Sequence, residues 1–420
     1  MKENYKKIRL FTTVLTTTAI LLSGCDQDQI SYDAQKNTSS IVMEPAVVSY
    51  DTVKTFSYDL FSQNMHSQNP VLSPISAYLA LSMAGSGSGS TTKEAFVDLL
   101  GENMTSTSNS IIHLLSQNNS DNVISLANSI WIDDSCSVKT NWLDNIQSVM
   151  NVEAFKADLS SAQITQKMNQ WIQEQTNGMI DNMIYDPFPA DTKVVLFDTI
   201  YFKAKWKTAF DPSKTYEDTF FLENGEQLLT KTMHLYTSDL DYLSTDFAEG
   251  LLLPYQDTDA SSSLAFLVLK PTDEKYTIRE IYEKLTEKVI SDMLDNRKTM
   301  LVNTKLPTFA ITFDQSLNDS LQHMGLEEAF DPSQADFSNL SHSKLYISLV
   351  RQKAKIIVSE EETEAAAVTE VAMSGGGELV PAESITNVYF DRPFLYIILD
   401  LEQELPLFIG ILDNPQSIEP

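Results

Sequence analysis

Residues 358–381 read VSEEETEAAAVTEVAMSGGGELVP. A β-rich run, Lys344–Val358, leads into this stretch, and another, Phe394–Leu399, follows it. By composition alone EEETEAAA suits a capped helix start, because Glu and Ala favour helix. A second reading takes the stretch from Thr363 at period two. Thr363, Ala365, Ala367, Thr369, Val371 and Met373 then share one face, all small or apolar. Glu364, Ala366, Val368, Glu370, Ala372 and Ser374 share the other, which carries all the charge. That pattern describes a strand able to bury one face. Gly375–Gly377 break it. A segment that can be an exposed loop and can also become a strand is a bistable element.

Outward from this stretch, helical and strand patterns alternate along the chain without a second linker. Tyr50–Met65 carries an apolar stripe at Val53, Phe56, Leu60 and Phe61, and Ile75–Met83 is an apolar helix opened by Ser73-Pro74, a cap and first-turn pair. Thr165–Thr176 reads as a helix closed by Gly178, and Glu280–Leu294 as another. Val194–Phe202 and Ser263–Leu269 are β-rich. The mixture predicts one large α+β domain.

The 420 residues carry 29 Lys and Arg against 58 Asp and Glu, a formal charge of −29, which argues against a nucleic-acid partner. Enzyme motifs fail. Gly85–Gly89 (GSGSG) is neither GxSxG nor a phosphate loop and reads as a flexible turn. The five histidines stand apart with no HExxH, so no metal site and no cofactor are expected. Cys136 reads as a buried apolar side chain.

The N terminus reads as an address. Lys2, Lys6, Lys7 and Arg9 precede the apolar run Leu10–Leu22, too short to span a bilayer comfortably. Leu22-Ser23-Gly24-Cys25 follows and resembles a bacterial lipobox, which implies cleavage before Cys25 and lipidation of its thiol. A plain secretory signal is the alternative. The expected boundaries are a signal peptide at 1–24, a polar tether at 25–46 and a folded domain at 47–420. The implied location is the bacterial cell surface or periplasm, held to the membrane through Cys25.

A run of further segments resembles the serpin family: NPVLSPIS (Asn69–Ser76), LANSIW (Leu126–Trp131), MNQWIQEQTNGMI (Met168–Ile180), DTIYFKAKW (Asp198–Trp206), LPTF (Leu306–Phe309), ADFS (Ala335–Ser338), DRPF (Asp391–Phe394) and PLFIGILDNP (Pro406–Pro415). With the stretch at 360–367 they stand in the family's order from about Ala46 to the C terminus. The resemblance implies three β-sheets, eight to nine helices and an exposed reactive-centre loop. It implies no enzyme but a monomeric suicide inhibitor of serine, and also cysteine, endopeptidases, forming a covalent one-to-one complex. The protease attacks the loop, and the hinge then inserts into the central sheet and traps the acyl-enzyme. The hinge would be Glu360, Glu361, Glu362, Thr363, Glu364, Ala365, Ala366, Ala367 and Val368. Ser73, Pro74, Ser76, Asp198, Trp206 and Gln352 would lie where the sheet parts.

The family's spacing from Thr363 puts the scissile bond between Gly376 and Gly377. Counting back from DRPF points to Leu379–Ala382 instead, so the window holds Met373, Ser374, Gly375, Glu378, Leu379, Val380 and Pro381 as well. From Ile356 to Asp391 there is no Lys or Arg. A trypsin-like pocket needs a cation, so elastase-, chymotrypsin- or subtilisin-like proteases are favoured. Three departures from the family pattern stand out: Asp198 in place of the usual Asn, Gln352 in place of His, and Glu362 in place of Gly. The last two leave a non-inhibitory binding or structural lipoprotein of the same fold as the alternative.

Overall fold

The strand pattern around Val194 shows how the molecule is layered. Val194 and Leu196 point into the main core, while Val195 and Phe197 point into a second cluster with Trp131, Met168, Trp171 and Ile172. A strand apolar on both faces is one that is covered on both faces. The computed structural model describes residues 48–115, 122–150, 153–176, 178–180, 182–256, 264–360 and 385–415. The signal peptide and tether at 1–46 with Cys25, the hinge positions 361–368 and the scissile window 373–381 lie outside the described residues.

This strand, β4 (Val194–Ala204), is the middle of a five-stranded sheet with β10 (Phe309–Ser316), β11 (Leu349–Val358), β2 (Asn122–Asp133) and β3 (Glu153–Ala157), in the order β10-β11-β4-β2-β3. β11 and β4 run parallel, and β10 and β2 flank them antiparallel. One face rests on α2 (Pro74–Ser86), which is buried along almost its whole length. The other carries α6 (Ala162–Gln175), whose Met168, Trp171 and Ile172 form the second cluster.

The remaining strands form a nine-stranded sheet. Its path is β1 (Val71–Leu72), β14 (Leu405–Leu412), β13 (Phe394–Asp400), β8 (Leu264–Pro271), β7 (Ala248–Pro254), β6 (Gln227–Ser244), β9 (Lys298–Pro307) and β12 (Thr386–Tyr389), with β5 (Thr215–Phe221) on β6. Among the described residues the expected three sheets are hydrogen-bonded as two. β6 is 18 residues long. Its first half pairs β5, and its last residues pair β7 beyond a register shift at Leu235/Ser238.

Among the described residues the helices are α1 (Asp51–Asn64), α2, α3 (Ser90–Leu100), α4 (Met104–Leu115), α5 (Thr140–Met150), α6, α7 (Ile278–Lys284), α8 (Glu287–Asp295) and one kinked run. In that run α9 (Asn318–Leu321) passes through a π turn at Gln322–Leu326 into α10 (Glu327–Phe330), and Gly325 at φ 104° makes the kink. α1 buries Val53, Phe56, Leu60 and Phe61, the predicted stripe.

Three local expectations change. The predicted helix at 280–294 is two helices. Thr286 caps the second by accepting from the Val289 N–H, and Thr277 and Glu280 form a reciprocal capping box on the first. The glycines of GSGSG serve packing more than flexibility. Gly85 lies within α2, and a Cβ there would stand 2.8 Å from Met104 Sδ and 2.9 Å from Phe96. At Gly87 a Cβ would stand 2.6 Å from Leu340. The β-rich run from Lys344 becomes a strand only at Leu349. Cys136 is 3% exposed, and burial pushes its thiol pKa up.

One buried carboxyl opposes this packing. Asp400, at the end of β13, is fully buried. Its Oδ1 accepts from the Gln403 N–H at 2.8 Å, and its Oδ2 has no partner. Desolvation lifts its pKa to about 6. The folded state thus holds the proton more tightly than the unfolded chain. Stability falls as pH rises from about 4 through 6, and the penalty persists above that. Asp400→Asn keeps the acceptor for Gln403 and removes the charge. It is expected to stabilise the protein at pH 7.5 by up to about 3 kcal/mol, with the gap closing below pH 4. Urea unfolding of both proteins at the two pH values checks this.

Candidate functional site at the parting of the central sheet

β11 alternates Val350, Gln352, Ala354, Ile356 and Val358 on one face. Four of these are apolar and lie in the main core. Gln352, fully buried among them, must satisfy its amide locally. It does so on the backbone of Ser73. The Ser73 N–H donates to Gln352 Oε1 at 3.0 Å, and Gln352 Nε2 donates to the Ser73 carbonyl at 2.8 Å. Ser73 is the N-cap of α2 and Pro74 its first residue. The reciprocal pair therefore ties the start of the central helix to the middle of β11. The Ser73 hydroxyl makes no cap bond, contrary to expectation, and neither Ser73 Oγ nor Ser76 Oγ has a hydrogen-bond partner.

Register extends this point into a polar row across the sheet. Gln352 lies opposite Asp198 of β4, and Asp198 opposite Asn128 of β2. Asp198 is placed here by its backbone. Asn128 is 8% exposed, and its Oδ1 is unpartnered. It was missed in the sequence, although LANSIW contains it.

β11 and β4 pair directly from Leu349/Val195 to Ala354/Ile200, so nothing stands between them over that length. Their ladder ends there. β11 continues on β10 to Val358, and β4 continues on β2 to Ala204. Above the end of the ladder sits Trp206, 1% exposed and stacked on Tyr255 at 4.7 Å and 12°, with Phe210 and Phe266 at its edges. Its Nε1 donates to the Ser359 carbonyl at 2.8 Å. The Phe210 N–H donates to the Glu360 carbonyl at 2.9 Å. The first hinge residue is thus pinned at the top of the line where β11 and β4 separate. These are contacts to main-chain carbonyls, which no side-chain motif announces.

The structure brings Ser73, Pro74, Ser76, Gln352 and the Asp198 backbone together at mid-sheet, and Trp206 with Glu360 at its top. The arrangement holds a closed seam between two parallel strands, secured at mid-sheet and at the hinge root. It contains no nucleophile–base pair among the described residues. Nor do those residues include a group of three or more His, Cys, Asp or Glu side chains that could hold a metal ion.

Comparisons with known proteins agree with this geometry. A family model described as Serpin (serine protease inhibitor) matches residues 51–415. Alpha-1-antichymotrypsin of Homo sapiens is 28% identical over 408 residues, covering 94% of this chain and 94% of its own. A serine protease inhibitor of Rattus norvegicus is 30% identical over 363 residues, covering 83% and 84%. Among solved structures, the thermophilic serpin tengpin in its native state aligns with a TM-score of 0.79 at 28% identity, covering 87% of this chain and 93% of its own. Human thyroxine-binding globulin shares the fold at a TM-score of 0.77 and 24% identity, covering 87% and 98%. Relatives of this chain are thus named as protease inhibitors, and the chain belongs to the serpin family.

Proposed function

We propose that this protein is an irreversible suicide inhibitor of serine endopeptidases, with cysteine endopeptidases as a further class. The observation that carries the reading is the closed β11–β4 seam with Glu360 pinned at its upper end. A protease acylated by the loop at 373–381 is then carried along the sheet as residues 363 onward enter the seam. An added strand gains two ladders of hydrogen bonds and buries its small face, and this stored difference drives the transfer. Names among the relatives, alpha-1-antichymotrypsin and the rat serine protease inhibitor, support the same reading. Cleavage between Gly376 and Gly377 within that window belongs to the proposal. So do the signal peptide at 1–24, the lipid on Cys25, the tether to 46, the domain at 47–420, the monomeric state and a bacterial surface or periplasmic location.

The alternative is a non-inhibitory binding protein on the same fold. One of its supports was Gln352, and that residue makes two good hydrogen bonds where a clasp is needed. Glu362 remains as its support. Incubation with pancreatic elastase, subtilisin and trypsin separates the two readings. A complex that survives boiling in detergent is expected with elastase or subtilisin and none with trypsin, because the loop offers trypsin no cation. Clean loop cleavage by elastase or subtilisin without complex favours the binding protein.

A further inference from the structure

The seam has a lower end, below the ladder, where the chain enters β11. Ser348 stands immediately before the strand and bonds both ways. Its N–H donates to the Val194 carbonyl at 3.1 Å, and its Oγ accepts from the Lys193 N–H at 3.1 Å. Its carbonyl accepts from Asn318 Nδ2 at 2.9 Å. Two residues earlier, Tyr346 Oη donates to the Asp191 carbonyl at 2.9 Å.

These bonds divide into two sets. Toward α9 and α10, the segment is held by Asn318 through Ser348 and the Val350 N–H (2.8 Å), by the Leu317 N–H on the Val350 carbonyl (2.9 Å), and by the Ile347 N–H on the Ala329 carbonyl (2.9 Å). Toward β4, it is held by Ser348 and Tyr346. Only the second set crosses the line along which β11 and β4 must part. A surface hollow lined by Phe188, Asn318, Phe330, Tyr346 and Leu349 adjoins it.

Insertion has to reach this point. β11 is 10 residues long. A strand laid along its full length, counted from Thr363, ends at position 372, next to the scissile window that begins at Met373. We propose that Ser348 and Tyr346 form a terminal clasp on the seam, opened last, whose release sets how much attacked inhibitor ends as trapped complex and how much as cleaved waste. This rests on the reading of insertion given above. While the clasp holds, the acyl-enzyme waits and water competes for it.

The test uses the intact protein and a synthetic peptide of residues 363–374, whose entry into the seam needs no protease. The double variant Ser348→Ala/Tyr346→Phe is expected to take up the peptide about three- to tenfold faster on native gels, from the two hydrogen bonds lost. Its stoichiometry of inhibition of elastase or subtilisin is expected to move toward one. Asn318→Ala frees the same segment from the other flank. It is expected to lower thermal stability without speeding uptake. Equal uptake by the parent and the double variant overturns the clasp, as does equal acceleration by Asn318→Ala, or no uptake by any of the three. If no complex forms with any protease while the double variant still takes up peptide faster, the inhibitory reading falls and the control of partition with it, and only the clasp on the seam stands.

Discussion

Thr363→Arg is expected to abolish the covalent complex while leaving cleavage of the loop intact. Apart from the polar row at Gln352 and Asp198, the inward positions on the strands flanking the seam are apolar: Val194 and Leu196 on β4, Val350, Ala354 and Ile356 on β11. A strand entering between them must bury one face of its own. On the period-two reading, Thr363 opens that face, with Ala365 and Ala367 behind it. A guanidinium buried there carries a desolvation cost of several kcal/mol. Each 1.4 kcal/mol slows the step about tenfold. Insertion then slows at least about a hundredfold, hydrolysis of the acyl-enzyme overtakes it, and the inhibitor becomes a substrate. A denaturing gel against elastase reads the result. Full complex yield from the variant contradicts insertion at this residue.

Gln352→Leu is expected to destabilise the protein by about 1–3 kcal/mol. Leucine suits the apolar face of β11 and nearly matches the volume, so little of the loss comes from packing. What is lost is the partner of the buried Ser73 N–H and one of the two donors to the Ser73 carbonyl, which keeps the Ala77 N–H at 3.3 Å. An orphaned backbone N–H at the start of a buried helix carries its full desolvation penalty, and one further hydrogen bond is lost beside it. The urea midpoint measures this. A loss under about 1 kcal/mol means that Ser73 finds other partners and that Gln352 does not hold the seam.

The two residues also show what is readable from sequence. Gln352 is visible as the single polar residue among Val350, Ala354, Ile356 and Val358 at period two, and its resemblance to a family position gave it a role. Its partner was not visible as such. Ser73 was singled out for its hydroxyl, whereas the structure uses its main chain. The same holds at the hinge root, where Ser359 and Glu360 are held by their carbonyls. Main-chain acceptors are common to every residue, so composition and motif carry no trace of them. Helix stripes were legible because burial of one face imposes a period, and β4 because a strand covered on both faces reads as a continuous β-rich run. The break between α7 and α8 was not, because one Thr cap overrides a continuous apolar pattern. The joining of two expected sheets through β6 depends on pairing register over long sequence separation, which local pattern does not encode. Ser348 was missed for a similar reason: its clasp joins segments far apart in the chain.

The most direct measurement of the account is the mass of the boiled elastase product and of the peptide released with it. The account predicts one covalent species that carries the protease and this chain up to the scissile window, together with a free C-terminal peptide whose first residue lies between positions 374 and 382. Free elastase beside two fragments of this chain, with no joined species at any ratio or time, contradicts it.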